Sequence, residues 1–175
     1  KKNQARGFNG ALSLGYNQGS YARSNNAVNV NYRTAHFNLF GNLGYSHDGN
    51  YNNQTFSRYF ADRSILQNSN YSYLINGYNG RIGLDYFVSP KTTLGIIISG
   101  STRPKNDELT FTNRQYNAAM QLDSTGRGST TGDYTFKNYA VNVNLQHRFN
   151  DKGRVLTVNI DQLKYQTGGT QLSQL

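Results

Sequence analysis

Between Tyr78 and Ile98 the chain alternates with a period of two, and that period leaves few folds open. Tyr78, Gly80, Ile82, Leu84 and Tyr86 take one side; Asn79, Arg81, Gly83 and Asp85 take the other. Such a period places alternate side chains on opposite faces of a strand. Ser89, Pro90 and Lys91 then reverse the chain, because proline presets its own φ and has no N–H to give to a ladder. On the return arm Leu94, Ile96 and Ile98 continue the apolar side, and Ile97 is the one apolar residue among Thr93, Gly95 and Ser99. The product is a β-hairpin with one oily face, which must lie against either a second layer of protein or lipid.

The same design recurs along the chain. Phe8 to Tyr16, Val28 to Tyr32, Phe37 to Tyr45, Tyr139 to Phe149 and Leu156 to Ile160 all alternate, and no helical period interrupts them. This predicts an all-β, antiparallel up-and-down sheet of about seven strands. Where the alternation dissolves into Asn, Ser, Arg and Tyr, at 47–73 and 102–135, long loops are expected, with Leu109 to Thr112 the one piece of strand inside the second. The short connections, 33–36, 88–91 and 150–153, then fall at one end of the sheet, and 18–23 and both long loops fall at the other. Short turns at one rim and long loops at the other are the asymmetry of outer-membrane barrels, with turns periplasmic and loops outside.

Composition agrees with lipid more than with a packed interior. Hydrophobic residues are 35% of 175 and mean hydropathy is −0.74, poor material for a large core. Cysteine is absent, which excludes a disulfide framework or thiolate metal site. No apolar run approaches the ~18 residues of a spanning helix. The net charge of +9 is scattered through Arg33, Arg58, Arg63, Lys91, Arg103, Arg127 and Lys152 instead of massed on one strand face, so no nucleic-acid partner is expected.

Aromatic placement makes the membrane reading quantitative. Phe8 and Tyr16, Phe37 and Tyr45, and Tyr78 and Tyr86 are each eight residues apart; eight steps of ~3.3 Å, tilted by ~40°, span about 20 Å, close to the apolar band of a barrel between its aromatic girdles. With Tyr32 and Phe149 these rings form the expected girdle. A soluble β-sandwich binding module is the alternative, and in it Ile82, Leu84, Ile96 and Ile98 would be covered by a second sheet.

On the opposite face Arg81, Asp85, Asn142, Asn144, Arg148 and Asp161 are candidate lumen-facing residues. The ordinary reading is a ladder of salt bridges and amide contacts steadying the wall; the functional one is that Arg81 touches an anionic ligand or a plug. No catalytic group, metal site or cofactor is expected. His36, His47 and His147 share no close spacing, Asp107 and Glu108 stand alone in an expected loop, and no Ser lies on the strand of His147. Arg58, Arg63, Arg103, Lys105, Arg114 and Arg127, all in connections assigned to the outside, predict contact with outer-membrane lipid and lipopolysaccharide phosphates.

Four stretches, KKNQARGFNGALSLGYNQG, NYRTAHFNLFGNLGYS, LDYFVSPKTTLGI and NVNLQHRFNDKGRVLTVNID, resemble the outer-membrane β-barrel family related to TonB-dependent receptors. In that family a Lys-Lys-Asn close ends the plug and an Arg-Gly-Phe-Asn-Gly stretch opens the barrel, which Lys1 to Asn3 and Arg6 to Gly10 resemble. The resemblance places residues 1–6 at a plug-to-barrel junction and 7–175 in a partial barrel. It implies a plug and TonB as partners, leaves room for a surface lipoprotein, and gives ligand uptake across the outer membrane of a Gram-negative bacterium as the function. A passive or structural barrel is the alternative; the ligand is unspecified. Seven strands is an odd count, whereas single-chain bacterial barrels are even and begin at eight. The chain is therefore expected to be a piece of a longer barrel, unless a strand hidden between Leu109 and Met120 makes eight and Leu12 and Leu14 pair with Val158 and Ile160.

Overall fold

In the computed structural model, which describes residues 6–150 and 153–175, seven strands form a single antiparallel sheet in sequence order. They are β1 (Gly7–Gln18), β2 (Ala22–Arg33), β3 (Phe37–Tyr59), β4 (Arg63–Ser89), β5 (Thr92–Asn117), β6 (Leu122–Arg148) and β7 (Val155–Gln174). The sheet is open: β1 pairs only with β2 and β7 only with β6, so Leu12 and Leu14 do not meet Val158 and Ile160. No eighth strand lies between Leu109 and Met120; residues up to Asn117 belong to β5.

The register stacks the apolar side chains into rows. Tyr32, Leu39, Leu84, Ile96, Val143 and Ile160 are successive cross-strand partners, and partners in a ladder project from the same face. No second sheet covers that face. Among the described residues no apolar side chain is buried, and Ile82, Leu84, Ile96 and Ile98 are 38–55% exposed. The sandwich alternative fails on this point, and the architecture is that of an up-and-down barrel wall.

The long loops expected at 47–73 and 102–135 are not loops. β3 and β4 stay paired out to Tyr59↔Ser64, and β5 and β6 out to Tyr116↔Leu122. Gly168, Gly169 and Ser173, beyond the last stretch of alternation, also lie within β7. The hydrophobic alternation ends there because both faces turn polar, but a ladder is held by backbone hydrogen bonds that need no apolar partner. The connections shrink to tight tips. At Ala118 to Gln121 the Asn117 Oδ1 accepts from the N–H groups of Ala119 and Gln121, each at 3.0 Å, an Asx-type closure.

At the opposite end the short turns stand where expected. Thr34 Oγ1 accepts from the backbone N–H of Phe37 at 3.0 Å, and Ser89 Oγ from that of Lys91 at 3.2 Å. The third expected turn, 150–153, lies partly outside the described residues; its flanks are joined by the Phe149 N–H donating to the Arg154 carbonyl at 3.0 Å.

Candidate functional site

The polar face is the surface a barrel turns inward. Its amides bind one another across the strands. Asn31 Nδ2 donates to Asn38 Oδ1 at 2.9 Å, and Asn9 and Asn38 extend the chain weakly to Asn31 and Asp85. Asn142 Nδ2 donates to Asp161 Oδ1 at 2.7 Å, and Asn144 Nδ2 to Asn142 Oδ1 at 3.1 Å. Asp85, Asn142, Asn144 and Asp161 thus belong to amide ladders. A salt-bridge ladder does not form: among the described residues the ion pairs are Arg23 with Asp48 and Lys105 with Asp107.

Arg81 and Asp85 share the face without touching. Between them sits Gly83, over which the Phe40 ring lies so closely that a Cβ there would collide with it. The Arg81 guanidinium instead rests 5.8 Å from the centre of that ring, within cation–π range. Arg148 and Asp161 are also apart. Asp161 pairs with Asn142, six residues from Arg148, or roughly 20 Å along the strand.

The expected girdle rings fall into two rows on the apolar face. Phe8 faces Tyr32 and Phe37 faces Tyr86 at the short-turn end, the first pair two residues inside the second along the ladder, while Tyr45 faces Tyr78 at the other, with Tyr16 two residues further out in the row of Ser24 and His47. The Tyr32 and Phe37 rings meet edge-on at 5.9 Å, and those of Tyr45 and Tyr78 are 5.2 Å apart. Phe149 stands beyond β6 at the turn end, its ring 4.7 Å from that of His147. Tyr45 Oη donates to Asn76 Oδ1 at 3.2 Å, so its polar handle points away from the band, as an interfacial tyrosine requires. Between the two rows this face carries no charged side chain from β3 to β6; the one charge there among the described residues is Lys164 of β7, across from Tyr139.

Beyond the second row the inward face carries a cluster that alternation alone left in a loop. Lys105 Nζ lies 2.7 Å from Asp107 Oδ2 and 2.8 Å from Tyr71 Oη, and Tyr71 Oη is 3.0 Å from the same carboxylate oxygen. The rings of Tyr71, Tyr73 and Tyr134 surround the ammonium at 5.5–5.6 Å. The Asp107 hydrogen bond, and after it that of Tyr71, holds the lysine well above its ordinary pKa. Tyr134 in turn covers Gly132 and Gly169, where added side chains would collide with it. The cluster is legible only by parity: Tyr71, Tyr73, Lys105 and Asp107 fall on the odd positions of β4 and β5 that also carry Arg81 and Ile97. Further out, Phe56, Ile65, Gln67 and Asn113 line an open groove of about 300 Å³ on the same face.

No family model matches the chain, and no curated protein sequence matches it. Solved structures offer distant likeness. The RagAB peptide transporter aligns with 85% of this chain at 10% identity and a TM-score of 0.35, and this chain spans 20% of its length. Ail, the attachment invasion locus protein of Yersinia pestis, aligns with 96% of this chain and 100% of its own at 11% identity and a TM-score of 0.18. The KdgM porin aligns at 13% identity and a TM-score of 0.16, covering 91% of this chain and 95% of its own. Similarity at this level leaves the function to be argued from the chain itself.

Proposed function

We propose that the chain is wall of an outer-membrane transport barrel in a Gram-negative bacterium, with its short turns in the periplasm and its long hairpins outside. The observation that carries this reading is the band of the apolar face, uncharged from β3 to β6, bare of protein cover and bounded by aromatic residues about 20 Å apart along the membrane normal, a little under the apolar band of a barrel. Such a face exposed to water would be an aggregation surface; facing lipid it is satisfied. The unpaired edges of β1 and β7 point to further strands, because open backbone groups do not stand in hydrocarbon. Those strands belong to the same polypeptide in our reading, which makes the chain part of a larger barrel.

The finer reading is ligand uptake through a plugged, TonB-energised barrel. Its support is the resemblance of Arg6 to Gly10 and Lys1 to Asn3 to a plug-barrel junction; Lys1 to Asn3 lie outside the described residues. The inward amide ladders favour a second reading, a passive barrel, since their hydrogen bonds are met without a plug. Uptake by cells carrying the full-length protein separates the two. Accumulation abolished by a protonophore or by loss of TonB supports the coupled receptor, and flux indifferent to both supports the passive barrel. Recovery of the full-length protein with soluble proteins instead of the outer membrane would remove both.

A further inference from the structure

The apolar face is not smooth at its outer margin. Leu43, Gly80, Gly100 and Tyr139 are successive partners across β3 to β6, so two residues without side chains lie between a leucine and a tyrosine. The row above holds Tyr78. The result is a shallow groove of about 450 Å³, floored by Gly80 and Gly100 and walled by Leu43, Tyr78 and Tyr139. The leucine and tyrosine side chains lean over their glycines, to 3.2 Å and 3.3 Å of where a Cβ would stand.

The first charges on this face occur at the mouth of that groove. Lys164 stands directly across from Tyr139, and Lys137, two residues further along β6, is its diagonal neighbour. Diagonal positions are about 7–8 Å apart, a span that two flexible lysine stems close around one anion. Both side chains are exposed, and neither is in the ion pairs found among the described residues. Of the cations the sequence offered for lipopolysaccharide, Lys105 is held by Asp107 on the inward face, and Arg103 shares that face.

We propose that Lys137 and Lys164, with the groove beneath them, form a binding site for the phosphorylated headgroup of outer-leaflet lipopolysaccharide, an acyl chain lying over Gly80 and Gly100 and a phosphate held between the ammonium groups. The site rests on the membrane reading above and goes beyond it. Two chemistries meet at one margin: an apolar trough one row inside the ring row, and beside it Lys137 in the ring row and Lys164 in the row of the trough, whose long stems carry their ammonium groups outward to the headgroup level while the apolar floor stays with the acyl chain. A lysine at an anionic lipid surface is worth about a fivefold gain in affinity, so the pair gives roughly thirtyfold.

The test uses the full-length protein purified from outer membranes in neutral detergent, with bisphosphorylated and dephosphorylated lipid A as probes and native mass spectrometry as readout. The wild type is expected to retain the bisphosphorylated form about thirtyfold more tightly. A Lys137→Gln/Lys164→Gln variant is expected to bind both alike. Arg114→Gln/Arg127→Gln removes the same charge from the same face about ten residues further out, roughly 25 Å along the membrane normal, and is expected to behave as wild type. Undiminished discrimination in the lysine variant overturns the site, and equal loss in the arginine variant replaces it with unspecific attraction. Insertion into neutral phosphatidylcholine vesicles is scored in parallel: a protein that inserts but does not discriminate sinks this inference alone, and one that does not insert sinks the membrane reading with it.

Discussion

An arginine placed at Ile98 and one placed at Ile97 should have very different consequences. Ile98 is across from Ile82 and Val141, four residues from Leu94 in the row of Phe37 and Tyr86, and four from Thr102 in the row of Tyr45 and Tyr78. It is therefore at the middle of the band, where an arginine on the lipid side of a barrel costs about 2–4 kcal/mol. That corresponds to roughly a 30- to 1,000-fold fall in the folding equilibrium. Ile97 points the other way, between Gly83 and Asn142, where a guanidinium reaches water and the Asn142–Asp161 pair; the loss there is about 1 kcal/mol, from packing alone. Leu94→Arg, at the girdle, should fall at about 0–1 kcal/mol. The measurement is reversible unfolding of the full-length protein by urea from neutral phospholipid vesicles, scored by the gel-mobility difference between folded and unfolded forms. If Ile97→Arg costs more than Ile98→Arg, or the three costs do not rise toward Ile98, the assignment of faces is wrong.

Gly83→Val should destabilise by about 1–3 kcal/mol through collision with the Phe40 ring, and Phe40→Ala in the same chain should recover part of the loss, a pairing readable in the same titration. Asn117→Ala removes the acceptor of two tip amides, worth about 1 kcal/mol, and should make the Ala118 to Gln121 tip the first site of limited proteolysis on intact cells. Because the folded pKa of Lys105 is raised, its pairing with Asp107 stabilises the outer wall fully below the ordinary lysine pKa, and that contribution fades as pH rises beyond it. The urea resistance of the folded full-length protein should thus fall more steeply in strong alkali in the wild type than in Lys105→Gln.

What the sequence disclosed was the part of the sheet where one face is apolar and the other polar. Rows such as Leu39, Leu84, Ile96 and Val143 are legible because each apolar residue is flanked by polar ones, and the turns at Thr34 and Pro90 carry their own chemistry. The outer hairpins were missed because Ser72, Glu108 and Thr131 on one face, and Asn50, Asn52, Gln67 and Asn113 on the other, are all polar, which erases the contrast that marks a strand while leaving its backbone ladder intact. Parity still held the answer: Lys137 shares its phase with Tyr139 and Val141, and Tyr71 and Tyr73 are out of phase with Tyr78. Ion pairing was not legible in the same way. Arg81 and Asp85 are in phase, yet a glycine and the ring of a neighbouring strand separate them.

The β2–β3 ladder stops at Ser24↔His47, whereas β3 and β4 remain paired to Tyr59↔Ser64, twelve residues or roughly 40 Å further along the strands. Tyr21 marks the step, its side chain wedged where a Cβ on Gly49 would collide with it, and Arg23 clasps the Gly49 carbonyl and the Asp48 carboxylate beside it. The rim is therefore a parapet with a gap: low over β1 and β2, high from β3 onward. In the orientation proposed above, a molecule crossing the low edge over β1 and β2 would meet the tyrosines around Lys105 on the tall side.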